Sequence, residues 1–511
     1  MRKIRYNKVW WKAIKVLPFY LFAFLPFFTA CSLDQEPISD PTELTEGVLT
    51  DTVAAVLKDK QAAIDQRKNL YELFRNRQEH WSLDMKLIAE CHSDNAYAGT
   101  TGAEVVPYET NSIDASNSVL SRDWTRYLAD IAQANVLING LDDLRAKGEV
   151  SDAECRQWQA EGRIFRALVM FDMARLWGSF PVITDIARTI TSDNVEEVYP
   201  TYFPPKTSSE ECYQQIVSDL EDGLQNAPDF SAADRTLLTK TVAQAMLAKV
   251  YAERPLQDYQ KVIEYAEKVK STAGLSLEPD FATLWGYDEV AKDCVKRNTS
   301  EGILEVHWTT GNANWESWMY GRCLEDYDFY FTWAKWVTPS RDLINDFTQE
   351  GDDVRLNESV VYYECTWSNY YPASHYPFMY KLRSGYNNHY KLRLADILLL
   401  EAEAYAYQGN AAQAAALVNQ IRSRVGLKDV DANGDMVEKV LHERRLELAF
   451  EGQRWFDLCR NGKVEQYMNA VYAKDAGRIA QRRTFDENSY LLPIPQTALD
   501  ENINLEQNPG Y

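Results

Sequence analysis

Small side chains recur through EAEAYAYQGNAAQAAALVNQI (residues 401–421) at the positions where two helices would have to touch. Ala402 stands one turn before Tyr405, and Gly409 and Ala414 follow at fixed offsets. Residues three and four apart share a helix face, so the alanines make a smooth stripe on which a second helix can lie. The glycine supplies the corner between the two. AKVYAERPLQDYQKVIEYA (residues 248–266) repeats the pattern more loosely, with Ala248 and Tyr251 in place and a small insertion before Val262. A chain with this spacing is committed to pairs of closely packed helices.

The offsets are those of tetratricopeptide repeats, in which each helix pair buries its apolar face only against the next pair. A stable stack needs three or more pairs, so others must be present in degenerate form. Apolar periodicity predicts helices from Asn117 and from Ser151, and near residues 208–226, 236–253, 258–271, 390–408, 411–425 and 436–461. Ser151 with Glu154 three residues on forms a capping box, and Gly178 with Pro181 ends that helix. Residues 272–390 differ: they are rich in Trp, Tyr, Gly and Asn, with short β-like runs such as GILEVHW. Residues 92–116 and 179–207 read as loops. The expected fold is mainly α, a tetratricopeptide-like helical-repeat scaffold with a large irregular, loop-rich ligand-binding insertion that contains short strands. Its parts are an N-terminal helical part over 31–271, the aromatic-rich region over 272–390, and repeat helices with a closing segment over 391–511.

The first thirty residues are a different material. Arg2, Lys3, Arg5, Lys8, Lys12 and Lys15 form a basic start with no acid among them, and Val16 to Phe28 carries no charge. That run suits a signal peptide and is shorter than the roughly 20 residues of a membrane-spanning helix. In FFTACSLDQEP, small Ala30 precedes Cys31, which resembles a bacterial lipoprotein cleavage site with Cys31 as the lipidated residue. The expected attachment to a membrane is through acyl chains alone. A net charge of −22 argues against nucleic acid as a partner. The seven other cysteines are scattered without a CxxC pair, unlike a zinc site or a disulfide framework.

LHERRLELAFEGQRWFDLCRNG (residues 441–462) interleaves arginines and carboxylates with leucine, phenylalanine and tryptophan. Glu443, Glu447 and Glu451 recur at four-residue spacing, with Arg444 and Arg454 within one turn. A catalytic acid needs isolation from counter-charge to shift toward neutrality. Here arginines would hold the acids ionised, so the stretch reads as an ion-paired seam between helices, with Gly452 allowing a kink or close approach. His442 and Glu443 begin an HExxH-like string, but Leu446 stands at its fifth position and no zinc site forms. No GxSxG elbow, P-loop or GxGxxG fingerprint is present. No cofactor, metal or catalytic residue is expected, and the chain reads as a non-enzyme.

ERRLELAFEGQRWFDLCRNG also resembles the C-terminal signature of the SusD/RagB family, the surface nutrient-binding lipoproteins of Bacteroidetes. EGRIFRALVMFDMARLWGSFPVI, TPSRDLINDF, ADILLLEAEAYAYQGN and YLLPIPQTALDENINLEQNPGY resemble further family segments, in the family's order. The resemblance implies a looped region that binds a glycan or other nutrient without turnover. It further implies a TonB-dependent outer-membrane transporter (SusC-like) as partner and a place on the outer membrane facing the cell exterior. Asp34 and Glu36 fit the acidic export tag of such lipoproteins.

Pyranose rings present apolar C–H faces and hydroxyl rims, so they are held by flat aromatic platforms with polar groups beside them. GNANWESWMYGR offers Trp315, Trp318, Tyr320 and Asn314 in this pattern. TWSNYYPASHYPFMY offers Tyr370 and Tyr371, and the loop CHSDNAYAGTTG offers Asn95 and Tyr97 beside Asp94. Two other functions fit the residues: a secreted helical glycoside hydrolase, which needs only two suitably spaced carboxylates, and a ligand-free tetratricopeptide interaction scaffold.

Overall fold

The computed structural model describes residues 57–187, 189–309, 311–320 and 335–511. The signal segment 1–30, Cys31, Asp34, Glu36 and Arg322 lie outside the described residues.

Helices dominate, and their ends are set by side chains. Asn117 caps Ser118–Ala146 by accepting from the backbone N–H of Val119 and Leu120. The capping box at Ser151 starts Asp152–Trp177, and Gly178, at φ +74°, ends it. Ser208 forms a second box for Ser209–Asn226, and Thr239, Asp258 and Asn410 cap Lys240–Ala252, Tyr259–Lys270 and Ala411–Arg424. Each oxygen satisfies an N–H that the first helical turn leaves unpaired.

The helices pack as a progression. Ser118–Ala146 lies on Asp152–Trp177, which lies on Ser209–Asn226, then Lys240–Ala252, then Tyr259–Lys270, then Leu394–Tyr407. Leu394–Tyr407 in turn contacts both Ala411–Arg424 and Met436–Glu447. The degenerate pairs demanded by the two legible ones are therefore present. Tyr259 and Tyr407 stack at 4.7 Å between neighbouring pairs. Gly223 lets Ser209–Asn226 approach closely, since a methyl there would lie 2.7 Å from the Ile164 side chain.

The described residues hold four antiparallel two-stranded sheets, each with at least one strand from the irregular region. Gly302–Val306, the core of GILEVHW, is buried along its length and pairs with His389–Arg393. Val360–Tyr363 pairs with Tyr376–Met379, and Tyr287–Asp288 with Asp293–Cys294. Ala96–Tyr97 pairs with Thr338–Pro339, tying the early loop to the middle of the chain.

The single helix expected over 436–461 is divided. Met436–Glu447 ends, and Arg454–Arg460 starts afresh after a break in which Phe450 and Gly452 both take positive φ. The Gly452 N–H donates to buried Glu90 Oε1 at 2.9 Å, so the kink is fixed by a contact from the other end of the sequence.

All six described cysteines are free thiols. No helix among the described residues is long and apolar enough to cross a membrane, and these residues hold no cluster able to bind a metal.

Candidate ligand-binding site

The charged C-terminal stretch acts as a clamp. Its three glutamates are paired, Glu443 and Glu447 fully buried and Glu451 nearly so, but with partners on other elements rather than with Arg444 and Arg454 beside them. Glu443 accepts from Arg355 and Arg422, and Glu451 from Lys381 and Arg393. Glu447 binds Arg355, Arg393 and Arg424. Burial alone would raise the Glu447 carboxyl, yet Arg424, Arg393 and Arg355 together hold it well below the usual range. Arg444 bridges Asp396 and Asp457.

Two arginines of the clamp reach back to the early loop. Arg454 donates to both Asp94 oxygens, at 2.7 and 2.8 Å, and Arg445 donates to Asn95 Oδ1 at 3.0 Å and to the Asp94 carbonyl. Asn95 Nδ2 donates to Glu90 at 2.8 Å. Asp94 and Asn95 are thus fully buried and engaged in fixing their own loop.

The remaining candidates divide by exposure. Trp315 and Trp318 are 52% and 45% exposed, against 1% for Tyr320 and 3% for Asn314. Both tryptophans ride on the start of Glu316–Tyr320, a one-turn helix fastened from beneath at every step. Gln78 Oε1 accepts from the Trp315 N–H at 2.7 Å. Asn314 donates to the Ser384 carbonyl at 3.1 Å, and Tyr320 to the Leu83 carbonyl at 2.6 Å. Glu316, between the tryptophans, points inward and meets the Lys86 ammonium at 2.5 Å. Burial pushes Lys86 down and Glu316 up, each opposed by the other's charge. The result is a short shelf with a polar, rigid underside and two indole rings at the surface.

Tyr97, Tyr370 and Tyr371 form a second group. Tyr97 and Tyr370 stack in parallel at 4.6 Å. Their hydroxyls point into the protein, to Asp475 and to Glu109. Burial, with the bond to Asp475 second, raises the Tyr97 hydroxyl to about 12. Tyr371, half-buried, carries the Arg341 guanidinium 4.3 Å from its ring centre and donates to the Pro339 carbonyl at 2.8 Å. The structure therefore separates this group from the shelf in kind: Tyr97 and Tyr370 fill the interior, and Tyr371 reaches the surface beside Arg341.

The supports of the shelf were hidden in the sequence. Gln78 and Lys86 lie in QEHWSLDMKLIAEC, where two five-residue π-helical turns, Glu79–Leu83 and Leu87–Cys91, interrupt the α period. A 3.6-residue template misreads such a segment. The residual signal is composition, since charged side chains alternate there with large apolar ones.

Two family models match the chain. One, described as "SusD family", covers residues 374–511, and the other, described as "Starch-binding associating with outer membrane", covers residues 33–252. "SusD-like protein P2" of Formosa agariphila is 26% identical, over 93% of this chain and 96% of its own length. A "SusD-like protein" of Bacteroides ovatus is 23% identical over 82% of each chain. Among solved structures, a "Laminarin binding SusD-like protein" superposes with a TM-score of 0.70 at 23% identity, covering 89% of this chain and 100% of that one. NanU of B. fragilis superposes with a TM-score of 0.67 at 21% identity, covering 92% and 99%. At these identities the superpositions establish the shared helical fold.

Proposed function

Since the chain belongs to the SusD/RagB family, we propose that it is a surface lipoprotein that binds a glycan or related nutrient without turnover and passes it to a TonB-dependent outer-membrane transporter. The observation that carries the binding step is the shelf of Trp315 and Trp318. Two large indoles, about half exposed on a fastened one-turn helix, offer ring area on which a flat apolar sugar face can stack. Tyr371, half-buried beside the Arg341 guanidinium, is a second candidate aromatic contact. Similarity to one laminarin-binding protein makes laminarin the first polysaccharide to try.

Absence of turnover is supported by the state of the acids in the clamp. Glu443, Glu447 and Glu451 are buried among arginines and lysines, not paired across an open cleft as hydrolysis would need. Outer-membrane association accords with the description of the family model over residues 33–252. Lipid attachment at Cys31 places the protein there, and replacing Cys31 with Ser should release it from the membrane fraction.

Affinity electrophoresis through a panel of polysaccharides, laminarin included, tests the proposal. The wild-type protein should be retarded by at least one glycan and release no reducing sugar from it. Trp315→Ala and Trp318→Ala should each cost about 1–2 kcal/mol, roughly five- to thirtyfold in affinity. Retardation that survives the double substitution unchanged would remove the shelf from the binding site.

A further inference from the structure

Behind the shelf lies a cavity of about 40 Å³, room for roughly three water molecules or one halide-sized ion and too small for a sugar. Four cationic side chains line it, Lys86, Lys249, Lys391 and Arg175, against two carboxylates, Asp172 and Glu451. The carboxylates are already committed. Glu451 is held by Lys381 and Arg393, both at 2.6 Å, and Asp172 Oδ1 accepts from Arg175 at 2.6 Å. Lys86 and Lys249 have acids of their own in Glu316 and Asp396.

Lys391 and Arg175 share the one carboxylate of Asp172. The Lys391 ammonium donates to the Trp81 carbonyl at 2.7 Å, lies 4.9 Å from the Trp81 ring centre and faces Asp172 Oδ2 at 3.9 Å. Arg175 is clamped flat between Phe171 and Phe456, 4.4 and 4.1 Å from their ring centres, and its buried Nε–H has no acceptor. Two cations on one carboxylate leave a positive charge in excess, and a buried donor without an acceptor is costly. Here both border one small cavity, in a chain whose net charge is −22.

We propose that this cavity is a binding site for a small monovalent anion of halide size, held by the Lys391 ammonium and the Arg175 Nε–H. The anion balances the excess positive charge and supplies the missing acceptor together. Burial lowers Lys391 to about 8 against the attraction of Asp172, and the Lys86 and Arg175 charges push in the same direction as burial. The site is independent of what the tryptophans bind.

Crystals of the mature protein grown in sodium bromide test it directly. An anomalous peak in the cavity, within hydrogen-bonding distance of Lys391 Nζ, is expected; water there, with bromide confined to the outer surface, overturns the proposal. In solution, sodium chloride should raise Tm by about 1–3 °C over sodium gluconate at equal ionic strength, gluconate being too large to enter. Lys391→Met should abolish that difference, and Asp172→Asn, which removes the competing carboxylate, should enlarge it. Equal Tm values in the two salts for the wild-type protein count against the site whatever the variants do.

Discussion

Lys86 and Glu316 show how a residue far from any surface can govern one that is exposed. Glu316 sits between the two tryptophans in sequence, yet its carboxylate faces the core and meets an ammonium contributed from 230 residues earlier. Removing one member of a buried pair strands the other charge, at a cost of about 3–5 kcal/mol. Lys86→Met should therefore lower stability by that order in urea denaturation, and Lys86→Met combined with Glu316→Gln should recover much of it. The tryptophans themselves could be picked out in the sequence as aromatics in a loop with polar neighbours. Their neighbours could not be sorted in the same way. Asn314, Tyr320, Asn95 and Tyr97 have the composition of a sugar site, but each is buried with its polar atom hydrogen-bonded inside the protein. Composition records what a side chain can bind and not which way it points.

Helices were legible where capping chemistry and period agree. The Ser151–Glu154 box marks the start of Asp152–Trp177 without help from the rest of the chain, and Ser151→Ala should cost about 1 kcal/mol in denaturation. Legibility fails where a distant contact overrides local preference. Residues 436–461 keep a helical pattern throughout, yet the helix breaks because Glu90 takes the Gly452 N–H and the chain must turn to deliver it. A Cβ at Gly452 would find ordinary space, 3.5 Å from Lys86, so the strain of Gly452→Ala lies in the backbone. At φ +74° it should amount to about 1–2 kcal/mol, measured as a shift in the denaturation midpoint.

Across the whole molecule the buried charges set how stability responds to pH. Glu447, Asp94 and Asp396 are held below the ordinary carboxylate range by their arginine and lysine partners, against the opposing pull of burial. Their contribution is present above about pH 4, the value for an unfolded carboxyl, and is lost as pH falls below it. Glu90 acts in the opposite sense. Burial raises it from 4.5 to about 7, with Asn95 and the Gly452 and Phe450 N–H groups pulling it back. The folded state thus binds its proton more tightly than the unfolded chain does, and stability falls as pH rises through that interval. Asp84 and Glu401, raised to about 6 and about 7, act in the same sense, while His80, His92 and His389, lowered by burial, act against it. Glu90→Gln should therefore make the denaturation midpoint fall less, relative to the wild type, between about pH 5 and 7 while leaving the acid limb below about pH 4 in place.

The grip of Arg454 on Asp94 joins residues 360 positions apart, and it carries a consequence for the order in which the molecule can be made. As the polypeptide emerges from its N-terminus, the loop around Asp94 appears early and has nothing to close upon. Its anchors all lie far downstream, first at Thr338–Ser340 and then at Arg445 and Arg454, so this arrangement of the loop needs most of the chain to be present. A chain interrupted before Arg445 accordingly lacks both guanidinium groups that hold Asp94 and Asn95 in place.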